Sequence, residues 1–396
     1  MKYLVLIGDG MADFPLEELG GKTPLMVAKK RYMDMMAQRG ISGRVITVPE
    51  GFPPGSDIAC MSLFGYDPRI YYTGRAPIEF YGMGYDMEKD DVAFRCNLVY
   101  LIETEDGLIM GDYSGGHIPR DEAISLISAL NAKLKDKEIS FFPGMGYRNI
   151  MLWKNGKWMM ETTPPHDIQG KRIDNFVPRG EGASFLIEIM EKARNVLKDH
   201  ETNKRRIMRG DHPANSIWLW GQGKKGDFVP FKERFRMDGA TVCAVDLIKG
   251  ISRLAGLFTP YVEGATGYLD TDYSAKAKKA IELLSEFDVV YVHVEAPDEA
   301  SHEGKIEEKI KAIENIDSKI LGPIYEEKGD EVRFLIVTDH YTPIPLRTHY
   351  ANPTPFVIFD ERAEKSKSDQ RYDETIGDPL LDARDLLSLF FGKDLP

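Results

Sequence analysis

The chain has few cysteines and no long apolar run, and both absences narrow the class of protein. Its three cysteines, Cys60, Cys96 and Cys243, are widely spaced and form no CxxC pair. This pattern favours a reduced, cytoplasmic protein over a disulfide-bonded one. No window approaches about eighteen uninterrupted apolar residues, and Met1 leads directly into a strand-like run. We therefore expect neither a membrane span nor a secretory signal.

Positively charged residues are also fewer than negatively charged ones. The chain has 51 Lys and Arg against 63 Asp and Glu, a net charge of −12 and a pI of about 5.3. An acidic protein is poorly suited to bind the phosphate backbone of nucleic acid. A small anionic substrate would have to be bound by a local cluster of Arg and Lys. Nothing in the composition predicts an oligomeric state.

Short β-branched runs alternate with helical patterns at both ends of the chain. At 396 residues, the chain is too long for one ordinary domain. The alternation predicts an α/β fold with a doubly wound, mostly parallel sheet covered by helices. Strands are predicted at 3–7, 43–48, 216–220, 240–245, 288–294, 332–337 and 355–359. Helices are predicted at 24–39, 245–256, 274–286 and 303–321.

The middle of the chain has a different pattern, with shorter alternating segments. We interpret 86–205 as an inserted α+β domain, a substrate or lid domain, within a core formed by 1–85 and 206–396. Asn155-Gly156, flanked by apolar residues, predicts a hairpin turn. A long amphipathic helix is predicted at 182–198. The alternative is one large sheet with long excursions.

Three buried-looking strands run directly into acidic and histidine residues. The segments are YLVLIGDG (3–10), VVYVHVEAPDEASH (289–302) and RFLIVTDH (333–340). In open α/β sheets, ligands bind outside the carboxyl ends of the strands. Carboxylates and imidazoles are together the donors of a divalent metal site. The candidate ligands from these segments are Asp9, Asp298, His302, Asp339 and His340.

Each of these residues also has an ordinary structural interpretation. Asp298 and His302 lie four residues apart, so on a helix they would share one face, but they could equally be a helix N-terminal acid and a surface histidine. Asp9 could be a turn residue held by glycines. His349, in a loop leading to the last strand, could be a surface histidine. Their joint placement at strand ends favours the metal site.

Ser56 follows a Pro-Pro-Gly turn and precedes a helical stretch. A hydroxyl at this position is most often a helix N-cap. Close to a divalent cation, the same serine could act as a nucleophile. The backbone N–H groups at the start of the helix would then help to bind an anionic phosphoryl group.

Seven ordered motifs resemble those of the cofactor-independent phosphoglycerate mutases. The motifs are Asp9, PGSD (54–57), GYDP (65–68), YYTGRAPIE (71–79), DEASH (298–302), TDH (338–340) and TH (348–349). The match is closest to the shorter, archaeal-type branch of this family, which lies in the alkaline phosphatase superfamily. It covers most of the chain and is weakest in the middle.

The resemblance implies a metal-dependent phosphotransferase with two divalent ions. One ion would be held by Asp9, Ser56, Asp339 and His340, and the other by Asp298, His302 and His349. Manganese is the first expectation, with zinc, magnesium or cobalt as alternatives. Ser56 would accept phosphate from 3-phosphoglycerate and return it to the 2-hydroxyl, which makes the enzyme an isomerase acting by intramolecular phosphotransfer.

Four cationic side chains are candidates to bind the carboxylate or phosphate of this small phosphorylated substrate. They are Arg75, His117, Arg148 and Arg179. Each could also be a solvated surface cation, and only for Arg75 does the motif context favour a binding role.

One stretch departs from the family pattern. Where archaeal-type mutases typically have an arginine-rich segment, this chain reads DYSGGHI (112–118). With TPIPLRTH (342–349) and RCNLV (95–99), it is similar to a bacterial subgroup proposed to act as homoserine kinases. An ATP-dependent homoserine kinase on the same phosphoserine site is therefore the alternative function. No P-loop or kinase glycine loop accompanies it.

Overall fold

The computed structural model describes residues 1–363 and 368–393. Within these residues the strands, in chain order, are Lys2–Gly8 (β1), Ile41–Ile46 (β2), Val92–Thr104 (β3), Gly107–Asp112 (β4), Ile139–Met145 (β5), Arg148–Trp153 (β6), Met160–Glu161 (β7), Arg179–Gly180 (β8), Ser216–Gly223 (β9), Gly239–Val242 (β10), Val289–Val294 (β11), Val332–Thr338 (β12), Thr354–Asp360 (β13) and Leu380–Asp382 (β14).

The same residues contain α-helices at Pro24–Val27 (α1), Arg31–Arg39 (α2), Ser56–Leu63 (α3), Pro68–Tyr71 (α4), Arg75–Gly82 (α5), Arg120–Leu134 (α6), Ala183–Leu197 (α7), Glu201–Arg209 (α8), Phe231–Phe235 (α9), Asp246–Leu254 (α10), Tyr273–Glu286 (α11), Ala296–His302 (α12), Ile306–Asn315 (α13), Gly322–Lys328 (α14) and Ala383–Phe391 (α15). A π-helical segment, Ile316–Leu321, joins α13 to α14. None of the described helices combines the length and apolar content needed to cross a membrane.

The chain divides into two compact units. The first comprises residues 1–72 and 227–396, and the second comprises 73–226. The second unit therefore begins before the predicted boundary at 86 and ends after the one at 205. The run at 216–220, expected in the core, forms β9 and pairs with β3 inside the second unit. An apolar run marks a buried strand, but it does not tell which sheet the strand joins.

The first unit contains a seven-stranded sheet of order β10-β11-β1-β12-β13-β2-β14. The pairs β10/β11, β11/β1, β1/β12 and β14/β2 are parallel, and only β13 is antiparallel to its neighbours. The α/β prediction with a mostly parallel sheet is confirmed. All six residues of β11 are buried, as expected for a parallel strand covered on both faces.

The register of this sheet fixes where its strands end. Gly8 of β1 lies opposite Val294 of β11 on one side and Thr338 of β12 on the other. Because the three strands are parallel, the residues that follow them emerge at the same edge. This alignment brings three distant segments of sequence together.

The second unit is built on an antiparallel sheet of order β4-β3-β6-β5, with β9 also paired to β3. The hairpin predicted at Asn155-Gly156 is wrong. Asn155 does adopt a left-handed conformation, with φ 49°, but β6 is already paired with β3 and β5. With both edges of β6 occupied, the returning chain cannot pair with it, and β7 pairs with β8 instead.

The helix predicted at 24–39 is two helices. The chain is extended at Ala28, and α2 restarts at Arg31. The carboxylate of Asp317 accepts the backbone N–H groups of Tyr32 and Met33, at 3.1 and 2.8 Å from Oδ1. A side chain distant in sequence thus accepts hydrogen bonds from the first N–H groups of α2, which have no partner within the helix. The residues near the break give little indication of this contact.

Candidate metal centre

The predicted ligands lie at the edge where β1, β11 and β12 end. Asp9 directly follows β1, and Asp339 follows β12. Asp298 and His302 lie on α12, which begins two residues after β11. The remaining candidates reach the same place from a loop and from the start of α3.

Asp9, Ser56, Asp339 and His340 form the first group. Ser56 Oγ lies 3.1 Å from His340 Nε2 and 3.3 Å from Asp9 Oδ2. His340 Nε2 lies 3.5 Å from Asp9 Oδ1 and 3.3 Å from Asp339 Oδ2. Ligand atoms of the two aspartates and His340 lie within 4.8 Å of one another, so these residues could hold one ion.

Ser56 is not an N-cap. Gly55 occupies the cap position of α3, and Ser56 is the first helical residue. Its hydroxyl points to the Asp9 and His340 side chains instead of to the backbone of its own helix. The structure therefore gives this hydroxyl no capping role and leaves it facing the Asp9 and His340 side chains.

Asp298, His302 and His349 form the second group. His302 Nε2 lies 3.1 Å from Asp298 Oδ2 and 3.0 Å from His349 Nε2. His349 Nε2 lies 3.6 Å from Asp298 Oδ1. Asp298 and His349 can also hold an ion together with His340, so the two groups are contiguous. The His302 side chain is 34% exposed, which leaves this side of the site accessible.

Hydrogen bonds fix the orientation of two imidazoles. The Thr342 hydroxyl donates to Asp298 Oδ1 at 2.5 Å, so its oxygen is left to accept from His340 Nδ1–H at 3.1 Å. His302 Nδ1–H donates to the carbonyl oxygen of Arg347 at 2.9 Å. In the neutral form of each ring, the Nε2 lone pair is then directed into the site, which is the arrangement of a metal-ligating histidine.

The charges in the site favour a cation. Burial raises the pKa of Asp9 well above its ordinary value, and the neighbouring carboxylates of Asp339, Asp298 and Glu295 raise it further. Burial alone would lower the pKa of His302, but the hydrogen bond and charge of Asp298 outweigh it and raise the pKa to about 9. Bound divalent ions would offset the repulsion among these crowded, buried carboxylates and would be ligated by the facing imidazoles.

Besides Thr342, two further residues at this site were missed from the sequence. His293 of β11 is fully buried, with Nε2 3.5 Å from Asp9 Oδ2 and Nδ1 3.1 Å from Glu295 Oε1. Cys60, one turn after Ser56 on α3, places Sγ 3.7 Å from Asp339 Oδ2. The available signal was a histidine inside an otherwise apolar strand, VVYVHV.

All four substrate-binding candidates lie in the second unit. Arg75 is half-buried and pairs with Glu79 at 2.8 Å. Arg148 is exposed, with its guanidinium 5.1 Å from the centre of the Tyr147 ring, and the ring of exposed His117 lies 6.5 Å from the same ring. Arg179 is exposed in β8 and donates to the carbonyl oxygen of Asn175.

A third arginine, which the sequence did not single out, completes an arginine cluster of Arg75, Arg95 and Arg148 around Glu79. Arg95 Nε lies 2.9 Å from Glu79 Oε2, and its guanidinium lies 4.3 Å from the centre of the Trp220 ring. Burial raises the pKa of Glu79, but the charges of Arg95, Arg75 and Arg148 together keep it below its ordinary value.

The stretch 112–118 forms a tight turn after β4. Asp112 Oδ1 accepts from the backbone N–H of Ser114 at 2.7 Å. Gly115, Gly116 and His117 all have positive φ. The Arg206 guanidinium donates to the carbonyl oxygen of Gly115 at 2.7 Å. The glycines that depart from the family pattern therefore serve a left-handed turn, for which glycine has little steric cost.

The fold and site define an α/β protein with a polar site of carboxylate, imidazole and hydroxyl groups at strand carboxyl ends, able to hold divalent cations. The family model for 2,3-bisphosphoglycerate-independent phosphoglycerate mutase matches residues 37–203. A relative from Geobacter sulfurreducens, named a probable enzyme of this kind, is 51% identical over 376 residues, covering 94% of each chain. One from Methanosarcina acetivorans is 50% identical over 378 residues, also covering 94% of each chain.

Solved structures agree with these relatives. A Pyrococcus horikoshii protein superposes with a TM-score of 0.83 at 30% identity, covering 99% of this chain and 96% of that one. A cofactor-independent phosphoglycerate mutase from Thermoplasma acidophilum gives a TM-score of 0.66 at 26% identity, covering 99% of each chain. The chain belongs to the family of 2,3-bisphosphoglycerate-independent phosphoglycerate mutases, and the resemblance found from its motifs is confirmed.

The homoserine kinase alternative finds no support in these comparisons. The relatives that match nearly the whole chain at about half identity are named as mutases. The 112–118 stretch, which suggested the kinase, has a structural role as a turn. We therefore do not retain the kinase function.

Proposed function

We propose that this chain interconverts 3- and 2-phosphoglycerate by moving the phosphoryl group through Ser56. The observation that carries the proposal is the position of Ser56 Oγ, 3.1 Å from His340 Nε2 and 3.3 Å from Asp9 Oδ2. Family membership supports the reaction, since relatives named for it share half of their residues with this chain.

Two divalent ions fit the donor atoms of this site. Asp9, Ser56, Asp339 and His340 would hold one, and Asp298, His302 and His349 would hold the other. Manganese is the first choice, with zinc, magnesium or cobalt also suited to a carboxylate and imidazole set. When bound, the ions would lower the pKa of the Ser56 hydroxyl and offset the negative charge of the phosphoryl group.

Ser56 acts as the temporary acceptor of phosphate. Its Oγ forms a bond to phosphorus as the bond from phosphorus to the 3-oxygen breaks, and the 3-oxygen takes up the proton that Ser56 releases. The glycerate then reorients, and its 2-hydroxyl attacks the phosphoserine. Ser56 leaves and regains a proton, so atoms and charge balance over the cycle. The N-terminus of α3 carries partial positive charge that favours the anionic phosphoserine.

The arginine cluster is suited to bind the carboxylate of the substrate. Arg75 and Arg148 are at least partly exposed, whereas Arg95 is buried and holds Glu79 in place. Guanidinium groups bind carboxylates through paired, charge-assisted hydrogen bonds. His117 lies near Arg148 through Tyr147 and would add a donor. Substrate binding by Arg179 remains a prediction, and so does a cytoplasmic location.

Turnover without a bisphosphorylated cofactor tests this function. Purified protein with added manganese should convert 3-phosphoglycerate into 2-phosphoglycerate in the absence of 2,3-bisphosphoglycerate, with the product detected through enolase. EDTA should stop the reaction, and manganese should restore it. A folded, manganese-loaded protein that gives no 2-phosphoglycerate would refute the proposal.

A further inference from the structure

A third donor set lies on the inner wall of the site. Cys60, His293 and Asp339 each offer one ligand atom, and these atoms lie within 4.8 Å of one another. All three side chains are fully buried. The set shares Asp339 with the first metal group but adds a thiol and an imidazole that neither proposed metal group uses.

His293 Nε2 is a buried polar atom whose hydrogen-bonding capacity is not satisfied. Among the described residues it has no hydrogen-bond partner, although Asp9 Oδ2 lies 3.5 Å away. An unpartnered polar atom buried from water costs free energy. A bound ion would satisfy this nitrogen.

The surroundings of His293 set its ring orientation and tautomer. Nδ1–H donates to Glu295 Oε1 at 3.1 Å, and Lys276 Nζ holds the other oxygen of that carboxylate at 3.1 Å. Lys276 also donates to the backbone carbonyl oxygen of His293 at 2.8 Å. In the neutral ring, Nε2 therefore carries the lone pair. A carboxylate that orients the far nitrogen of a histidine is typical of metal-ligating histidines.

The packing of α3 against β11 holds the thiol opposite this imidazole. Phe64 stacks on Tyr291 with ring centres 4.2 Å apart. Cys60 is one helical turn before Phe64, and His293 is two residues after Tyr291 on the same face of the strand. The two ligands thus lie on a helix and a strand that pack against each other through this ring pair.

We propose that Cys60, His293 and Asp339 form a third cation site that is selective for zinc-like ions. A thiolate, an imidazole and a carboxylate are the donors of a catalytic-type zinc site, with one position open. Manganese and magnesium prefer oxygen donors and bind thiolates poorly. The protein should therefore bind one more equivalent of zinc or cobalt than of manganese. This inference goes beyond the proposed phosphotransfer and does not depend on it.

Cobalt is the probe that tests this site, because a cobalt–thiolate bond gives an intense near-ultraviolet charge-transfer band. The two other donor groups contain no sulfur, so cobalt bound there gives no such band. We expect metal-free wild-type protein titrated with Co²⁺ to develop the band within three bound equivalents, and zinc to abolish it. Elemental analysis of desalted protein should find one equivalent more of cobalt than of manganese.

Variants assign the band to its ligands. Cys60→Ser and His293→Gln should each lose it, whereas Cys96→Ser should keep it, because Cys96 is an equally buried thiol in the other unit. Wild-type protein with equal cobalt and manganese content and no thiolate band would overturn the third site, even if the variants fail to fold. A band that survives His293→Gln would overturn the ligand set. The readout is metal binding, so either failure leaves the Ser56 chemistry to be judged separately.

Discussion

At the scale of single residues, the site depends on groups that hold the predicted ligands as much as on the ligands themselves. Thr342 uses its one hydroxyl to connect Asp298 with His340. Sequence reasoning found the acids and histidines because parallel strands end together. It missed Thr342, His293 and Cys60, because a hydroxyl in a loop and single polar residues in apolar segments have no distinctive pattern.

Thr342→Val should lower metal affinity without removing a ligand. The change removes the acceptor for His340 Nδ1–H and the donor to Asp298, so both ligands lose orientation. Loss of such an outer contact typically weakens metal binding about 10- to 100-fold. Calorimetric titration of metal-free protein with Mn²⁺ measures the effect. Thr354→Val is the control, because Thr354 is equally buried and its hydroxyl has no hydrogen-bond partner among the described residues. Equal affinities in both variants would refute the role of Thr342.

Arg148→Met should raise the KM for 3-phosphoglycerate more than it lowers kcat. A hydrogen bond to a charged group contributes roughly 1.5–3 kcal/mol, which corresponds to a KM about ten- to a hundredfold higher. Steady-state kinetics with saturating manganese measures it. Arg172→Met is the matched control, since Arg172 is an exposed arginine of the same unit paired with Asp174. An unchanged KM in Arg148→Met would remove this residue from the substrate site.

At the scale of elements, the sequence predicts strands better than their partners. Runs such as VVYVHV and RFLIVT are strands because continuous apolar segments fit a doubly covered parallel sheet. The placement of β9 in the second unit and the missing hairpin after β6 both depend on which strand edges are free. The break between α1 and α2 depends on Asp317, which lies far away in sequence. Such long-range contacts are not encoded in local pattern.

Asp317 should make stability depend on pH between about 4 and 6. Burial raises the pKa of Asp317 from 3.8 to about 6, against the smaller opposing effect of the Met33 and Tyr32 N–H groups. In this interval the folded state binds more protons than the unfolded state, so the contribution of Asp317 falls as pH rises. The stability of wild type relative to Asp317→Asn should therefore be greater at pH 4.5 than at pH 7, by roughly 2 kcal/mol.

Urea unfolding of both proteins at the two pH values measures this difference. Asp317→Asn is an informative comparison because an amide oxygen can still accept from both N–H groups of α2. The raised pKa of Asp317 would be contradicted if the stability difference between wild type and variant were the same at both pH values. It would also be contradicted if wild type gained more over the variant at pH 7.

At the scale of the whole molecule, metal binding and folding should be coupled. The carboxylates of Asp9, Asp298 and Asp339 are all buried in one site, and ions that bind only the folded state stabilise it. Removal of divalent ions with EDTA should lower the Tm, and manganese at a hundredfold excess over its Kd should restore about 2.7 kcal/mol per site. Differential scanning calorimetry measures the change. An identical Tm with and without metal would show that the site does not hold ions.

The account as a whole rests on Ser56 as the residue that carries phosphate. Peptide mass mapping of wild-type protein quenched during turnover of 3-phosphoglycerate tests this most directly, with Ser56→Ala and Ser62→Ala treated in parallel. Ser62 lies on the same helix, and its hydroxyl donates to the carbonyl oxygen of Ile58. We predict one phosphoryl group on Ser56 in wild type and in Ser62→Ala, and neither phosphate nor turnover in folded, metal-bound Ser56→Ala. Full turnover by Ser56→Ala would contradict the account.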